Sequence, residues 1–321
     1  MTEPTVSDEV KKFYRNNPYP SYGIAAKTKP ANVYAKFCTR PGKYLEAGCG
    51  TGHVVAGSAL ILPNLDFYAI DFSDASLKVA KKVAEANNVK INFQQASLMD
   101  PLPFDFEFDY ISCLGVLHHL ENPEQGLINL ADKLAIDGYL FMHVYGEDYH
   151  RRRFQIIEML DLLTDHTDND QSRYDLYRSL ETHERNRQRG SFLRRVARLS
   201  IRDVVLGIRG VLNRRNLSDS QNLQAWDGPW DDPKVSERWL DQFAHPNERT
   251  YNLAELTNFL HTAGLELVES FALGRLDSRL VPPEWKVRFE HLDLDRQTRM
   301  MELLNTRGTS PFIAARKIRS T

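Results

Sequence analysis

The stretch LEAGCGTG, residues 45–52, decides the fold of this chain. An apolar run typical of a buried strand leads into it, and the segment HVVAGSALIL, which has helical spacing, follows it. Glycines alternate through the turn at positions 48, 50 and 52. Glycine at a strand-to-helix turn permits backbone angles that other residues avoid and lets a ligand approach the main chain. The pattern is typical of a ligand-binding loop, although taken alone it also fits a purely structural turn.

Strands and helices alternate after this loop. The predicted strands are KYLEAG, NLDFYAIDF, VKINFQQAS, FDYISCLGVL and GYLFMHVY. An amphipathic helix is predicted over residues 74–87, with an Asp or Ser near its cap. This alternation predicts a parallel sheet with helices on both faces. It stops after residue 145 and returns near the end of the chain, where NLAELTNFLHTAGLELVESFAL predicts a helix and a strand and residues 310–318 predict the last strand.

Length and composition limit which kinds of protein this chain can be. The chain has 321 residues and a mass of 37.0 kDa, and 42% of its residues are hydrophobic. It can therefore bury a sizeable core, as one large α/β domain with insertions or as two compact units. A formal net charge of -2 gives the whole protein no electrostatic preference for nucleic acid, although a local one stays open.

Cysteine usage and hydropathy indicate the compartment. Cys38, Cys49 and Cys113 are odd in number and have no CxxC spacing, which argues against a disulfide framework and against a cysteine zinc site. No metal is therefore expected. The first thirty residues contain no apolar signal segment, and no run of about 18 apolar residues that would span a membrane occurs. We expect a cytoplasmic protein without a transmembrane segment.

The charge of the residue that opens the glycine loop distinguishes between its candidate ligands. The dinucleotide pattern GxGxxG does not fit, because its last glycine would fall on His53 or Val55. The spacing is E-x-G-x-G-x-G instead, opened by Glu46. A buried acid at that position repels a pyrophosphate but suits a ligand with an ammonium group, which favours S-adenosylmethionine over NAD or FAD. Asp71, 19 residues beyond Gly52, ends the second strand, where a carboxylate accepts ribose hydroxyls or caps a helix.

Four motifs carry a resemblance to a known family. LEAGCGTG, AIDFS, QQASLMD and FDYISCLGVLHHL resemble the successive motifs of class I S-adenosylmethionine-dependent methyltransferases. The resemblance covers roughly residues 40–145, and AELTNFLHTAGLELVES continues it near the end. The NPYP, LHHL and HPNERTY segments look like a bacterial subgroup with a large cap insertion. The resemblance implies a Rossmann-like parallel sheet with an antiparallel last strand, helices on both faces and a mainly helical cap.

The same resemblance implies a set of cofactor contacts. Glu46 would help to hold the amino group of S-adenosylmethionine, Asp71 would take the ribose hydroxyls, and Phe72 would lie against the adenine. The full set is Glu46, Gly48, Cys49, Gly50, Gly52, Asp71, Phe72, Ser97, Leu98, Leu114 and Gly115. Taken singly, each position also fits an ordinary turn, helix cap or packing contact.

Methyl transfer needs a general base only if the acceptor must lose a proton. No catalytic triad is apparent in the sequence. The candidate bases are His118 and His119, which follow the fourth strand, and His143 and Tyr145, which end the fifth, with His119 placed first. The alternative is that the LHHL segment only shapes the pocket.

Three parts organise the chain. Residues 1–35 are a predicted lid, residues 36–149 and 246–321 form the cofactor-binding core, and residues 150–245 form a helical cap that selects the acceptor. Candidate acceptor-binding residues come from the lid and from the return to the core: Tyr14, Tyr19, Tyr22, His245, Arg249 and Tyr251. An arginine in that position suits an anionic acceptor. The tyrosines alternatively pack a rigid, proline-rich turn on the core.

A basic segment within the cap leaves several interpretations open. Residues 185–215 hold ten arginines and one acid, Asp203, with apolar residues at roughly helical spacing. Such a helix can bind a membrane surface, an acidic partner or phosphates. Alternatively, its apolar face packs on the core and its arginines pair with acids elsewhere in the chain.

Four functions are compatible with these observations. The leading prediction is an S-adenosylmethionine-dependent methyltransferase that acts on an O or N atom of a small molecule or a peptide side chain. One alternative is an RNA methyltransferase that uses residues 185–215 for phosphate contacts, and another is a non-catalytic cofactor-binding protein. A hydride-transfer enzyme is the weakest option, because the third glycine of its fingerprint is missing. The sequence leaves the oligomeric state open.

Overall fold

The computed structural model describes most of the chain. The described residues are 5–16, 18–19, 30–164, 168–180, 182–183, 237–271, 281–292, 296–297, 299–300, 304 and 310–318. The predicted basic segment 185–215 and Tyr22 lie outside them.

Seven strands form one mixed sheet. They are β1 (Gly42–Ala47), β2 (Leu65–Asp71), β3 (Ile91–Gln95), β4 (Phe108–Leu114), β5 (Leu134–His143), β6 (Leu265–Ser270) and β7 (Phe312–Lys317). Their order is β3-β2-β1-β4-β5-β7-β6. The first five strands are parallel, and β7 runs antiparallel to both β5 and β6. This confirms the predicted parallel sheet with an antiparallel last strand, although β5 begins four residues before the predicted start at residue 138.

Eight helices have clear bounds within the described residues. They are α1 (Val6–Asn16), α2 (His53–Ile61), α3 (Asp74–Ala86), α4 (Pro123–Asp132), α5 (Glu147–Leu163), α6 (Glu237–Phe243), α7 (Leu253–Thr262) and α8 (Lys286–Glu290). Residues 170–180 are also helical. Helix α1 was not predicted. Its first turn carries Asp8 and Glu9 and its last turn carries Arg15, an arrangement that complements the helix dipole.

Local sequence sets the starts of the helices that follow the strands. The Ser73 hydroxyl accepts the Ser76 N–H and caps α3. Asn122 caps α4 in the same way, with proline at the first helical position. Asn252 and Glu255 form a reciprocal capping box at the start of α7. α3 and α4 therefore begin where their strand–loop connections end, and α7 begins after the loop that follows α6.

Two apolar clusters sandwich the sheet. Leu45 and Ile70 belong to one cluster, and Tyr44 and Phe67 belong to the other. Because neighbouring strand residues point to opposite faces, the sheet is buried on both sides, as a parallel sheet requires.

The chain divides into two compact units. One comprises residues 1–155 and 240–321, and the other comprises residues 156–239. Within the second unit, Arg173 pairs with Asp161 at 2.6 Å, and the Tyr174 ring lies 5.4 Å from that of Trp239. The predicted functional boundaries of lid, core and cap stay a prediction. Within the described residues, no helix combines the length and apolar character needed to cross a membrane.

Candidate active site

A cavity of about 420 Å³ opens at the carboxyl ends of β1, β2, β4 and β5. This is the edge at which open α/β sheets bind ligands. The predicted residues that line it are Tyr14, Tyr19, Glu46, Gly48, Cys49, Gly50, Asp71, Phe72, Ser97, Leu98, Leu114, Gly115, His119, His143 and Tyr145. The fold thus brings together predictions taken from six separate stretches of sequence.

The glycine loop forms the wall after β1. Gly48 and Gly50 have positive φ angles of 73° and 54°, which favour glycine. A Cβ on Gly48 would lie 2.5 Å from a methyl carbon of Val116. The Gly48 and Cys49 N–H groups donate to the Ile70 carbonyl at 2.8 and 2.9 Å, which ties the loop to the end of β2. Burial raises the pKa of the Cys49 thiol, so Cys49 is a small neutral filler here.

Asp71 stands between the glycine loop and the turn after β2. Its Oδ2 accepts the Gly50 N–H at 2.8 Å, and its Oδ1 accepts the Ser73 N–H at 2.9 Å. Burial raises the pKa of Asp71 to about 6, although these backbone donors favour the carboxylate. Ser73, and not Asp71, is the N-cap of α3. The alternative of Asp71 as a helix cap is therefore wrong, and its carboxylate faces the cavity.

Glu46 is a second buried acid on the same wall. The Ser112 hydroxyl donates to its Oε2 at 3.3 Å, because the parallel register of β1 and β4 sets Glu46 opposite Ser112. Glu46 is 3% exposed and lines the cavity. A desolvated carboxylate there favours a cationic group.

Gly52 does not line the cavity, in contrast to the sequence expectation. Its φ angle is 76°, and a Cβ on it would lie 2.6 Å from the Cβ and 2.9 Å from the Cα of Ala80. Gly52 therefore permits the close approach of α2 to α3, a packing role.

His119 is the histidine of the LHHL segment that reaches the cavity. Its Nδ1 lies 2.9 Å from the Asn247 carbonyl oxygen, so Nδ1 carries the proton and Nε2 is left as an acceptor. Burial lowers the pKa of His119 to about 4. The ring is therefore neutral at pH 7 and offers a lone pair.

His118 lies behind His119 and does not line the cavity. It is fully buried, its ring centroid is 3.8 Å from that of Tyr145, and neither ring nitrogen has a hydrogen-bond partner among the described residues. Burial, with four neighbouring histidines, lowers its pKa well below the usual range. A general-base role for His118 is at odds with this position.

The first helix contributes another wall of the cavity through Ser7, Val10 and Tyr14. The Tyr14 hydroxyl donates to Asp241 Oδ1 at 3.1 Å. Burial and the charge of Asp241 raise the pKa of Tyr14 well above its usual value, so it remains a neutral donor. Asp241 also lines the cavity but was not predicted, since the WLDQF stretch carries no recognisable motif.

The three candidates in the HPNERTY segment lie outside the cavity. The His245 ring stacks on His119 at 3.7 Å between centroids, Tyr251 packs against Phe259, and Arg249 is exposed. The Arg249 main-chain N–H donates to the His118 carbonyl, which explains why this segment returns to the LHHL turn. The expectation of an arginine that receives an anionic acceptor is therefore not met by Arg249.

A buried ion pair supports this wall. Arg153 of α5 donates from Nη1 and Nη2 to the two carboxylate oxygens of Glu248 at 2.9 and 2.6 Å. The two side chains are 3% and 6% exposed, and the guanidinium lies 4.8 Å from the centre of the Tyr145 ring. Neither residue was predicted, because no local sequence pattern joins them.

His119, His245 and Glu248 also satisfy a distance criterion for a metal site, with ligand atoms within 4.8 Å of one another. Their hydrogen bonds favour a different arrangement. Both Glu248 oxygens are held by Arg153, and His245 Nδ1 accepts the Asn247 N–H, which puts its proton on Nε2. A protonated nitrogen is not a metal ligand, so the three residues form a hydrogen-bonded support for the cavity wall.

Known proteins resemble the core of this chain. A family model described as "Methyltransferase domain" matches residues 45–140. A Synechococcus protein described as uncharacterised is 29% identical over 94% of this chain and 69% of its own length. The ubiquinone biosynthesis O-methyltransferase of Rickettsia bellii is 29% identical over 29% of this chain and 38% of its own length.

A solved structure extends the likeness to nearly the whole chain. PKMT2 from Rickettsia typhi, in complex with AdoHcy, superposes with a TM-score of 0.64 at 15% identity. The match covers 93% of this chain and 54% of the PKMT2 chain, so this chain spans about half of that protein. At this identity the likeness shows the fold alone.

Proposed function

We propose, since the chain carries an S-adenosylmethionine-dependent methyltransferase domain, that it transfers a methyl group to an O or N atom of a small molecule or a peptide side chain. The observation that carries the proposal is the cavity itself. It joins the glycine loop and Asp71 to the neutral ring of His119 and to Tyr14 and Tyr145. One cavity thus holds groups suited to a cofactor and groups suited to an acceptor.

The lining fits S-adenosylmethionine in charge. Its acidic residues are Glu46, Asp71, Glu121 and Asp241, and the described part of the lining contains neither Lys nor Arg. A ligand with a sulfonium and an ammonium group is favoured by such a wall, whereas a pyrophosphate is repelled. The positive φ angles at Gly48 and Gly50 keep side chains out of the approach to the main chain.

Each group has a role that follows from its chemistry. S-adenosylmethionine supplies, when bound, an electrophilic methyl group on sulfur. Asp71 has lone pairs for ribose hydroxyls beyond its two backbone donors, and Glu46 faces the cationic end. His119 accepts a hydrogen bond from the incoming nucleophile through Nε2. Because the pKa of His119 is about 4, its ring orients that nucleophile but does not retain a proton taken from it at pH 7.

The first helix completes the arrangement as a cover. Ser7 donates to Glu121 at 3.0 Å and Tyr14 donates to Asp241 at 3.1 Å, so the helix is tied to two other elements that line the cavity. A covered cavity excludes water from the reacting groups. This supports the lid role proposed for residues 1–35.

The relatives leave the acceptor open. The Rickettsia bellii enzyme shares only 38% of its length with this chain, and PKMT2 is alike in fold. The RNA alternative depends on residues 185–215, which the structure does not describe, and nothing else supports it. The methyltransferase identity of the domain disfavours the non-catalytic alternative.

The direct test is transfer of a labelled methyl group. The protein is incubated with S-adenosylmethionine tritiated on the methyl group and an extract of the source cells. We expect label in a product other than the protein itself, and much less label with the Asp71→Asn variant at a cofactor concentration near the dissociation constant of the parent protein. Binding of S-adenosylhomocysteine with no transfer to the extract would contradict the transferase assignment.

A further inference from the structure

Asn247, in the HPNERTY segment, makes four hydrogen bonds within the described residues, all of them to the surroundings of His119. Its carbonyl oxygen accepts the His119 Nδ1–H at 2.9 Å. Its side-chain Nδ2 donates to the main-chain carbonyls of His119 and Leu120 at 3.1 and 2.9 Å. Its main-chain N–H donates to His245 Nδ1 at 3.1 Å. Asn247 therefore holds both the ring of His119 and the main chain that carries this ring.

The turn that carries His119 has little local support. Leu117–His119 form a single 3₁₀ turn without a side-chain cap, and such short turns are weakly stabilised by their own hydrogen bonds. The carbonyls of residues 118–120 accept hydrogen bonds from the HPNERTY segment instead, two from the Asn247 side chain and one from the Arg249 N–H. The position of the His119 ring thus depends on a residue 128 positions away in the sequence.

The contacts of the Asn247 side chain match an amide and no other polar group. An amide nitrogen has two N–H donors, and Asn247 uses both of them on neighbouring carbonyls. Aspartate has no N–H and would place a negative charge against the same two oxygens. The residue type at this position is therefore explained by the turn that it holds.

The contact between His119 and the Asn247 carbonyl also selects one form of the neutral ring. A carbonyl oxygen only accepts, so the proton lies on Nδ1 of His119 and Nε2 keeps its lone pair. The His245 ring, which stacks on His119 at 3.7 Å between centroids, has the opposite form, because its Nδ1 accepts the Asn247 N–H. A His119 ring protonated on Nε2 could not accept a hydrogen bond from a nucleophile at that nitrogen.

We infer that Asn247 is a positioning residue for methyl transfer, which acts through His119 by holding its turn and by keeping its proton on Nδ1. This rests on the proposed function, in which Nε2 of His119 accepts a hydrogen bond from the nucleophile. Asn247 does not line the cavity, so it acts on the reaction through His119 alone. A displacement of about 1 Å in an orienting group can slow a reaction by about a hundredfold.

The first test determines which ring nitrogen of His119 carries the proton. The protein is labelled with ¹⁵N in histidine, correlations between ring protons and ring nitrogens are recorded at pH 7, and His119→Gln assigns the signals. We expect Nδ1–H in the parent protein, and conversion of a large part of it to Nε2–H in Asn247→Asp and Asn247→Ala. An Nε2–H ring in the parent, or an Nδ1–H ring that persists in both variants, would overturn the inference.

The second test measures transfer of tritiated methyl groups to the cell extract at saturating S-adenosylmethionine. Asn247→Asp should slow transfer by about tenfold or more, while the affinity for S-adenosylhomocysteine changes little. Asn92→Asp is the matched control, since it breaks an amide-to-carbonyl bond of the same kind, to Phe67 at 3.2 Å in the sheet. Equal slowing by the two variants would reduce Asn247 to a structural role and overturn the inference.

A conservative variant and a double variant test the route through His119. Asn247→Gln retains both donors on a chain one methylene longer and should recover part of the rate and of the Nδ1–H form. Recovery of neither would contradict the role of the amide. In the His119→Gln background, Asn247→Asp should slow transfer no further, because the residue it positions is already gone. Slowing by the full factor in that background would show that Asn247 acts by another route.

The two kinds of readout separate this inference from the proposed function. The proton position on His119 is measured without a cofactor or an acceptor. If no label is transferred by the parent protein, the proposed function fails, and the spectra still decide whether Asn247 sets the form of the His119 ring. If label is transferred and Asn247→Asp matches the parent protein in rate and spectrum, only the inference about Asn247 fails.

Discussion

Asp71 and Gly50 are joined by a hydrogen bond of 2.8 Å from the main-chain N–H of the glycine to Oδ2 of the carboxylate. The bond links the loop after β1 to the end of β2, so the two cofactor-binding motifs of the sequence form one continuous wall. It also orients the carboxylate toward the cavity. The first two predictions concern this carboxylate.

Asp71→Asn should weaken binding of S-adenosylhomocysteine by about ten- to a hundredfold, because it removes charge-assisted acceptance of the ribose hydroxyls. The amide oxygen can still accept the Gly50 N–H, whereas the Ser73 N–H loses its acceptor, so the thermal stability of the variant is measured alongside its affinity. Calorimetric titration of the variant measures the loss. Asp66→Asn, at an exposed position of β2, serves as the control and should bind like the parent protein. Unchanged affinity in Asp71→Asn would mean that the ribose lies elsewhere.

The affinity of the parent protein for S-adenosylhomocysteine should depend on pH. The pKa of Asp71 is raised to about 6 by burial, and the ribose hydroxyls require the ionised form. Affinity should therefore be constant above about pH 7 and fall as the pH decreases through 6, by up to about tenfold per unit. Titrations between pH 5 and 7.5 test this. The slope should be absent in Asp71→Asn, and an equal slope in the variant would assign the titration to another group.

His119→Gln should separate turnover from cofactor binding. His119 lines the cavity and offers Nε2 to the nucleophile, so loss of the ring should slow methyl transfer by about ten- to a hundredfold. Affinity for S-adenosylhomocysteine should change little. The exposed His261→Gln provides the comparison. If transfer by His119→Gln matched that of His261→Gln, His119 would be a packing residue only.

Removing one member of the Arg153–Glu248 pair should destabilise the protein more than removing both. Arg153→Met leaves a buried carboxylate without its partner and should cost about 3–5 kcal/mol of unfolding free energy. The double variant Arg153→Met, Glu248→Leu should recover most of that loss. Lys36→Met, which breaks the exposed pair with Glu269, should cost about 0–1 kcal/mol. Denaturant unfolding measures all three, and a double variant as unstable as Arg153→Met would contradict this account.

Buried histidines should make the protein sensitive to mild acid. Burial lowers the pKa of His150 to about 2, whereas an unfolded histidine titrates near 6.5. A lowered native pKa gives stability that is complete above about pH 6.5 and is lost as the pH falls toward the native value. Between pH 7 and 5.5 the parent protein should lose about 1 kcal/mol more than His150→Gln. Parallel stability curves would show that the pKa of His150 is the same in the folded and the unfolded protein.

The motifs near the strands could be predicted because their signals are local. LEAGCGTG lies between a strand pattern and a helix pattern, and Asp71 ends the next strand, so the sheet topology alone brings them to one edge. The LHHL segment was placed correctly for the same reason. The neutral state of its histidines was not predictable, since it depends on burial under segments far along the chain.

The long-range partners could not be predicted. Tyr14 and Asp241 are 227 residues apart, and Arg153 and Glu248 are 95 residues apart. Each is an ordinary residue in a segment without a motif, and only the folded chain makes them neighbours. Gly52 was assigned to the cofactor because glycine spacing cannot distinguish a ligand contact from the close packing of α2 on α3.

Calorimetric titration with S-adenosylhomocysteine, with NAD as the control, tests the central claim most directly. The cavity at the ends of β1 and β2 predicts micromolar binding of the adenosyl ligand at pH 7.5 and no heat with NAD, because Glu46 repels a pyrophosphate. Binding of NAD, or no binding of either ligand, would contradict the assignment of this cavity to S-adenosylmethionine.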